Sequence, residues 1–310
     1  MLNTDSETST AATGIVDFAK SQQHREVRRK RKRYGLVLLP GFASTFRIAM
    51  SRAAQIAYAY DANEVFCFSW PANGRVNIPD YLLDQEDAKA SAPAIADALS
   101  QLFAFLLSTD AANRPTLNIV AHSMGTFALR HALQIIESKD ASLMAKTLFD
   151  RVLLMASDEN YQALGLKEEL EPLVRLAQTV TVYWARDDIP LWLSQQINRQ
   201  ARLGNYGPYR LADLPSTVTS IDCSAWSETK GDPGGEKHWG HQYYRLSAPV
   251  INDVKQVLEG KAPNEIEPRL PNYDAPGQSW IIPRDLDSGR EIVEMVRRYR
   301  QTLSNAAVQI

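Results

Sequence analysis

From Tyr34 onward the chain alternates short apolar runs with longer stretches in which apolar residues recur every three or four positions. The short runs are Leu36-Val37-Leu38-Leu39, Val65-Phe66-Cys67-Phe68, Leu117-Asn118-Ile119-Val120, Val152-Leu153-Leu154-Met155, Val180-Thr181-Val182-Tyr183 and 218–223. Most are apolar at consecutive positions, which predicts strands covered on both faces. The longer stretches predict helices. Residues 48–60 are Ala-rich, 87–107 carry Ile95, Leu99, Leu102 and Leu106 on one stripe, and 127–136 and 252–258 repeat the spacing. Buried strands separated by helices predict an α/β fold, a mostly parallel central sheet with helices on both faces.

The pattern also suggests boundaries. Residues 1–33 show no sustained hydrophobic period and end in a basic run, so they read as a flexible extension ahead of a main domain at 34–260. Residues 261–310 read as a strap, with five prolines between Pro263 and Pro283, and then a terminal amphipathic helix over 287–303, both packed on the main domain. No internal repeat is visible.

Composition narrows the function only slightly. A net charge of -2 over 310 residues gives no global attraction to nucleic acid. Between Arg25 and Arg33 there are seven Lys or Arg and one Glu. That run reads as a solvated arm, with a contact to phosphate or anionic lipid as the alternative. Cys67 and Cys223 sit in apolar stretches, where free thiols pack as small hydrophobes, and no disulfide framework is implied. No apolar run has the length of a signal peptide or of a membrane span, so a cytoplasmic protein without a transmembrane segment is expected.

The chemistry concentrates at Ala121-His122-Ser123-Met124-Gly125, between a predicted strand and a predicted helix. Ser123 has a glycine two positions later and Ala121 two before, small residues that let strand and helix close on a strained turn. This is the pattern of a nucleophile elbow. A serine there stands at a helix N-terminus, where free amides favour a developing anion. A simple N-cap is the plainer reading. The chain lacks a G-x-G-x-x-G at this turn and a P-loop Gly-Lys-Ser or Gly-Lys-Thr anywhere, which argues against nucleotide binding.

A general base follows by elimination. His24 borders the basic arm, His122 adjoins the nucleophile and points elsewhere, and His131 lies down the following helix. His238 and His241 remain, both after the last strand, where the chain order serine, acid, histidine places the base. His241 is the first choice and His238 its competitor. A metal site built on this pair lacks a third His or Cys at suitable spacing, and neither metal nor cofactor is expected. For the acid, Asp188 follows the fifth strand, three residues past Ala185 and directly before Ile189-Pro190. Asp187 is its nearest competitor and Asp158, after the fourth strand, the third. Capping of the next helix is the alternative role for each.

Two backbone amides should face the oxyanion of a tetrahedral intermediate. Met124 supplies one and Phe42, in the loop after the first strand, the other. Trp70, Trp192 and Trp239 follow strand ends or adjoin the histidines, where they line a substrate cleft or simply pack loops onto the core.

Over 34–260 the chain resembles a bacterial family of α/β-hydrolases of largely uncharacterised activity. The likeness rests on Pro40-Gly41-Phe42, Phe68-Ser69-Trp70-Pro71, the Ala121–Gly125 elbow, Asp188 with Ser194, Arg202-Leu203-Gly204 near Gly207-Pro208, and His241-Gln242-Tyr243-Tyr244. The Ala-first elbow also looks like that of small bacterial lipases, while Pro40-Gly41 departs from the His-Gly of many relatives. The resemblance implies the α/β-hydrolase fold and a Ser-Asp-His triad, and it favours Asp188 and His241 over their neighbours. The expectation is a serine hydrolase that cleaves a small-molecule carboxylic ester without a cofactor. Acyl transfer by the same triad, peptide or thioester cleavage, and a silent binding protein on the same fold remain alternatives.

Overall fold

The computed structural model describes residues 13–22, 34–227, 239–272, 275 and 277–285. Its strands are β1 (Gly35–Leu39), β2 (Glu64–Cys67), β3 (Leu117–His122), β4 (Phe149–Met155), β5 (Ala177–Trp184), β6 (Val218–Asp222), β7 (Leu270–Pro271) and β8 (Ser279–Ile281). Among the described residues these eight form one sheet in the order β2-β1-β3-β4-β5-β6-β8-β7. All neighbours run parallel except β7 and β8.

The helices are α1 (13–22), α2 (Phe46–Ala59), α3 (Ile78–Ser108), α4 (Met124–Lys139), α5 (Glu171–Leu176), α6 (Ile189–Asn198), α7 (Leu203–Tyr206), α8 (Tyr243–Leu246) and α9 (Ala248–Glu259). Successive strand residues point to opposite layers, because side chains alternate along a strand. Val37, Leu39, Ile119, Ala121, Val152 and Leu154 join a core with α1, α3 and α4. Leu36, Leu38, Val120, Leu153 and Met155 join another with α2 and α9. Apolar burial on both faces is why these strands read as continuous hydrophobic runs.

From β1 the chain passes outward to β2, then returns to the other side of β1 as β3. The order reverses between β1 and β3, and the carboxyl ends of such a pair open a crevice suited to a ligand.

The structure differs from the sequence expectation in four places. Residues 13–22 do not belong to a flexible extension: Ile15 and Ala19 are fully buried, and Phe18 packs in the same core. One short stripe among Ser and Thr is too brief to register as a period, so the boundary at residue 33 came too late. Residues 23–33, and with them the basic run, lie outside the described residues, as does the helix expected over 287–303.

The strap after residue 260 contributes to the sheet, since β8 pairs with β6 through Ser220 and Ser279, Ile221 and Trp280, and Asp222 and Ile281. Strand β8 has three residues, too few for a periodic signal. Helix α3 begins at Ile78, nine residues before 87. In its first two turns Asp80 and Asp84 are buried while Ile78, Leu82 and Leu83 are exposed, which inverts the amphipathic pattern. Asn77 caps this start by accepting the Asp80 N–H at 2.9 Å. At full length α3 is long and apolar enough to cross a membrane, contrary to expectation. Here Ile95, Leu99, Leu102, Phe103 and Leu106 of that helix are buried in the core shared with α4.

Candidate active site

Ser123 stands between β3 and α4 with φ 53 and ψ -123, a left-handed conformation rare for a residue with a side chain. Its backbone is held on three sides. Its N–H donates to Met155 O at 2.9 Å, and its carbonyl accepts the N–H groups of Thr126 at 3.0 Å and Asp158 at 3.2 Å. Such a turn requires strand and helix to touch, and a β-carbon on Gly125 would lie 2.1 Å from Leu39 O of β1. The small residue expected after the serine is thus a steric necessity. Ala43, Ala156 and Trp239 also have positive φ, so the loops around this end of the sheet share strained backbone.

The loop after β1 rests on the elbow. A β-carbon on Gly41 would lie 2.8 Å from Ser123 Cβ and 2.9 Å from His122 Nδ1. Phe42 follows in the turn, its ring edge-on to Tyr81 at 5.5 Å. The next amide, Ala43 N–H, donates to Asp84 Oδ2 at 2.9 Å, while Asp84 Oδ1 accepts Asn73 N–H at 3.1 Å. Asp84, fully buried in α3, therefore fixes the loop that carries the Phe42 amide. Sequence reasoning missed it because α3 was expected to start later. Met124 is the first residue of α4, where an N–H has no acceptor within its own helix.

The three candidate acids have different partners. Asp188, fully buried, accepts His241 Nδ1–H on Oδ2 at 2.6 Å and caps α6 by accepting Leu191 N–H on Oδ1 at 3.0 Å. The bond to a histidine and the helix cap coexist, one on each oxygen. Burial pushes its carboxyl above the ordinary range, while the His241 charge and hydrogen bond and the Leu191 amide pull it back. Asp187 is exposed and bonds Ser227 Oγ. Asp158 accepts the Tyr81 hydroxyl at 2.8 Å and the Ser194 hydroxyl, with Arg202 Nη1 at 3.8 Å. Helix α7 links the acid-bearing loops, since Gly204 N–H donates to Ser157 O and its carbonyl accepts Ala185 N–H, both at 2.9 Å. The Asn205 amide adds a bond to Asp188 O at 3.2 Å.

His241 is 9% exposed and reached through Trp239 and Gly240, both left-handed. Ile189 N–H donates to Trp239 O at 3.1 Å, tying this segment to the residue after Asp188. His122 Nε2–H donates to His241 O at 3.1 Å. The competitor His238 lies outside the described residues. His131 is on α4 beside Arg130 and Phe127, bonded at 3.3 Å to the Arg130 guanidinium.

The tryptophans separate. Trp192 and Trp239 are 55% and 47% exposed, at the start of α6 and beside His241. Trp70, at 4% exposure, packs in the core cluster beside Phe68 and Tyr81. The described residues contain no cluster of three or more His, Cys, Asp or Glu able to hold a metal ion. Cys67 and Cys223 are both free.

A family model described as alpha/beta hydrolase of unknown function (DUF900) matches residues 17–258, beginning inside α1. Comparison with curated proteins and with solved structures gave no match.

Proposed function

The chain belongs to the family of alpha/beta hydrolases of unknown function (DUF900), and on that premise we propose that it is a serine hydrolase cleaving a carboxylic ester through an acyl-enzyme on Ser123. One observation carries this reading: the buried Asp188 carboxylate is bonded at 2.6 Å to His241, whose ring lies 4.7 Å from that of His122, the residue before the strained Ser123.

In this reading His241 Nε2 accepts the Ser123 proton as Oγ attacks the ester carbonyl. Asp188 holds the Nδ1–H tautomer and stabilises the imidazolium that forms. Negative charge on the carbonyl oxygen is met by the Met124 and Phe42 amides, each donor worth roughly 2.7 to 4 kcal/mol in such sites. The alcohol leaves with the proton from His241, and water, activated by the same imidazole, releases the acid. The exposed rings of Trp192 and Trp239 offer apolar surface to the substrate beside the base.

Hydrolysis of p-nitrophenyl esters of graded chain length by wild type and Ser123→Ala tests this reading. Turnover by the wild type that disappears in the variant is the expected result. Retention of more than about a few per cent of the activity, far above what loss of a nucleophile permits, would sink it.

A further inference from the structure

The side chain of His122 is almost wholly buried, at 1% exposure, and plays no part in the chemistry described above. It stacks on Tyr244 with centroids 4.5 Å apart and planes at 28°, and meets the His241 ring at 4.7 Å and 51°. Its Nε2 lies 3.1 Å from His241 O, and since a carbonyl can only accept, Nε2 carries the hydrogen. Nδ1 has no partner among the described residues and faces Gly41, so a hydrogen there would be buried without an acceptor.

His241 needs such support. It sits on irregular backbone after two left-handed residues, where neither strand nor helix fixes it. Beyond the Asp188 bond to its ring, its segment is held among the described residues by Ile189 N–H to Trp239 O at 3.1 Å, His122 to His241 O at 3.1 Å, the Tyr243 hydroxyl to Tyr183 O at 2.9 Å, and the Tyr60 hydroxyl to Tyr244 O at 2.7 Å. Of these, the His122 bond alone acts on residue 241 itself, and it comes from the residue that precedes Ser123.

We infer that His122 is a positioning residue for His241: through the Nε2–H bond to the His241 carbonyl and the contact between the rings, the last residue of β3 supports the base while the next residue is the nucleophile. This rests on the serine-hydrolase reading. A side chain that merely fills space would need its ring and its volume. A positioning residue needs its donor, because a shift of about 1 Å in a reacting group can cost about a hundredfold in rate.

The experiment compares His122→Phe, which keeps a ring and loses the donor, with His122→Gln, whose amide can restore it, using p-nitrophenyl butyrate as substrate. His122→Phe should lower kcat about 10- to 100-fold with KM within about twofold, and His122→Gln should recover at least about tenfold of that loss. Wild-type kcat in His122→Phe, or a Gln variant no better than the Phe variant, overturns the inference. Long-range nitrogen–proton spectra of wild-type protein labelled at histidine give a second reading that needs no variant. They should show His122 protonated on Nε2, and protonation on Nδ1 overturns the inference even if His122→Phe fails to fold. Hydrolysis that survives Ser123→Ala would instead remove the serine-hydrolase reading beneath it.

Discussion

Gly41 and Ser123 touch so closely that a β-carbon on the glycine would lie 2.8 Å from that of the serine. The loop after β1 is therefore seated on Ser123, and Asp84 pins its far side through Ala43 N–H. Proline before Gly41, in place of histidine, leaves this contact unchanged because the contact is made by the glycine.

Gly41→Ala should push the loop away from Ser123 and displace the Phe42 amide. A fall in kcat of about a hundredfold is expected from a displacement of that size, with a loss of about 1 to 3 kcal/mol in stability from overpacking. Steady-state kinetics and urea unfolding measure the two. An alanine variant with wild-type kcat would show that this loop takes no part in turnover.

Asp188→Asn should separate the two roles of that carboxylate. Asparagine still caps α6 at Leu191, so thermal stability should change little, whereas turnover should fall on the order of 10⁴-fold as the imidazole loses its partner. Asp187→Asn and Asp158→Asn should cost far less, since these groups bond Ser227, and Tyr81 with Ser194. Equal loss at Asp158 would move the acid to the loop after β4.

Ile15→Ala should destabilise the protein by about 2 to 5 kcal/mol in urea unfolding, the usual cost of emptying a fully buried aliphatic site. A change below about 1 kcal/mol would mean that α1 does not contribute to the core.

His131 gives a pH dependence of known sign. Burial, then Arg130 and Lys89, push its imidazole from 6.5 down to about 4. Between these values the unfolded chain binds a proton that the folded state refuses, so stability is lost as pH falls through that window and is unaffected above it. His131→Phe keeps the ring against Phe127 and removes the titration. The difference in melting temperature between variant and wild type should be flat above about pH 7 and shift in the variant's favour towards pH 4. A constant difference across that range would contradict the burial of this ring.

The sequence was most legible where burial is symmetric. Strands β1, β3, β4 and β5 are apolar on both faces, and their cores in the chain are the runs predicted. The elbow was legible because Ala121 and Gly125 answer a steric demand that few other turns make. Asp84 and Tyr81 were hidden by the mixed polarity at the start of α3, where Asp80 and Asp84 are buried and Leu82 and Leu83 exposed. Helix α1 and strand β8 were hidden by brevity. The link from His122 to His241 joins residues 119 apart, and no local pattern encodes it.

If Ser123 is a nucleophile activated by His241, it reacts with a fluorophosphonate, and peptide mass spectrometry locates the adduct. A single adduct on Ser123 is expected in the wild type, none in Ser123→Ala, and labelling slowed by more than about a hundredfold in His241→Ala. A folded wild-type protein that leaves Ser123 unlabelled, or a His241→Ala variant labelled at the wild-type rate, would contradict that activation.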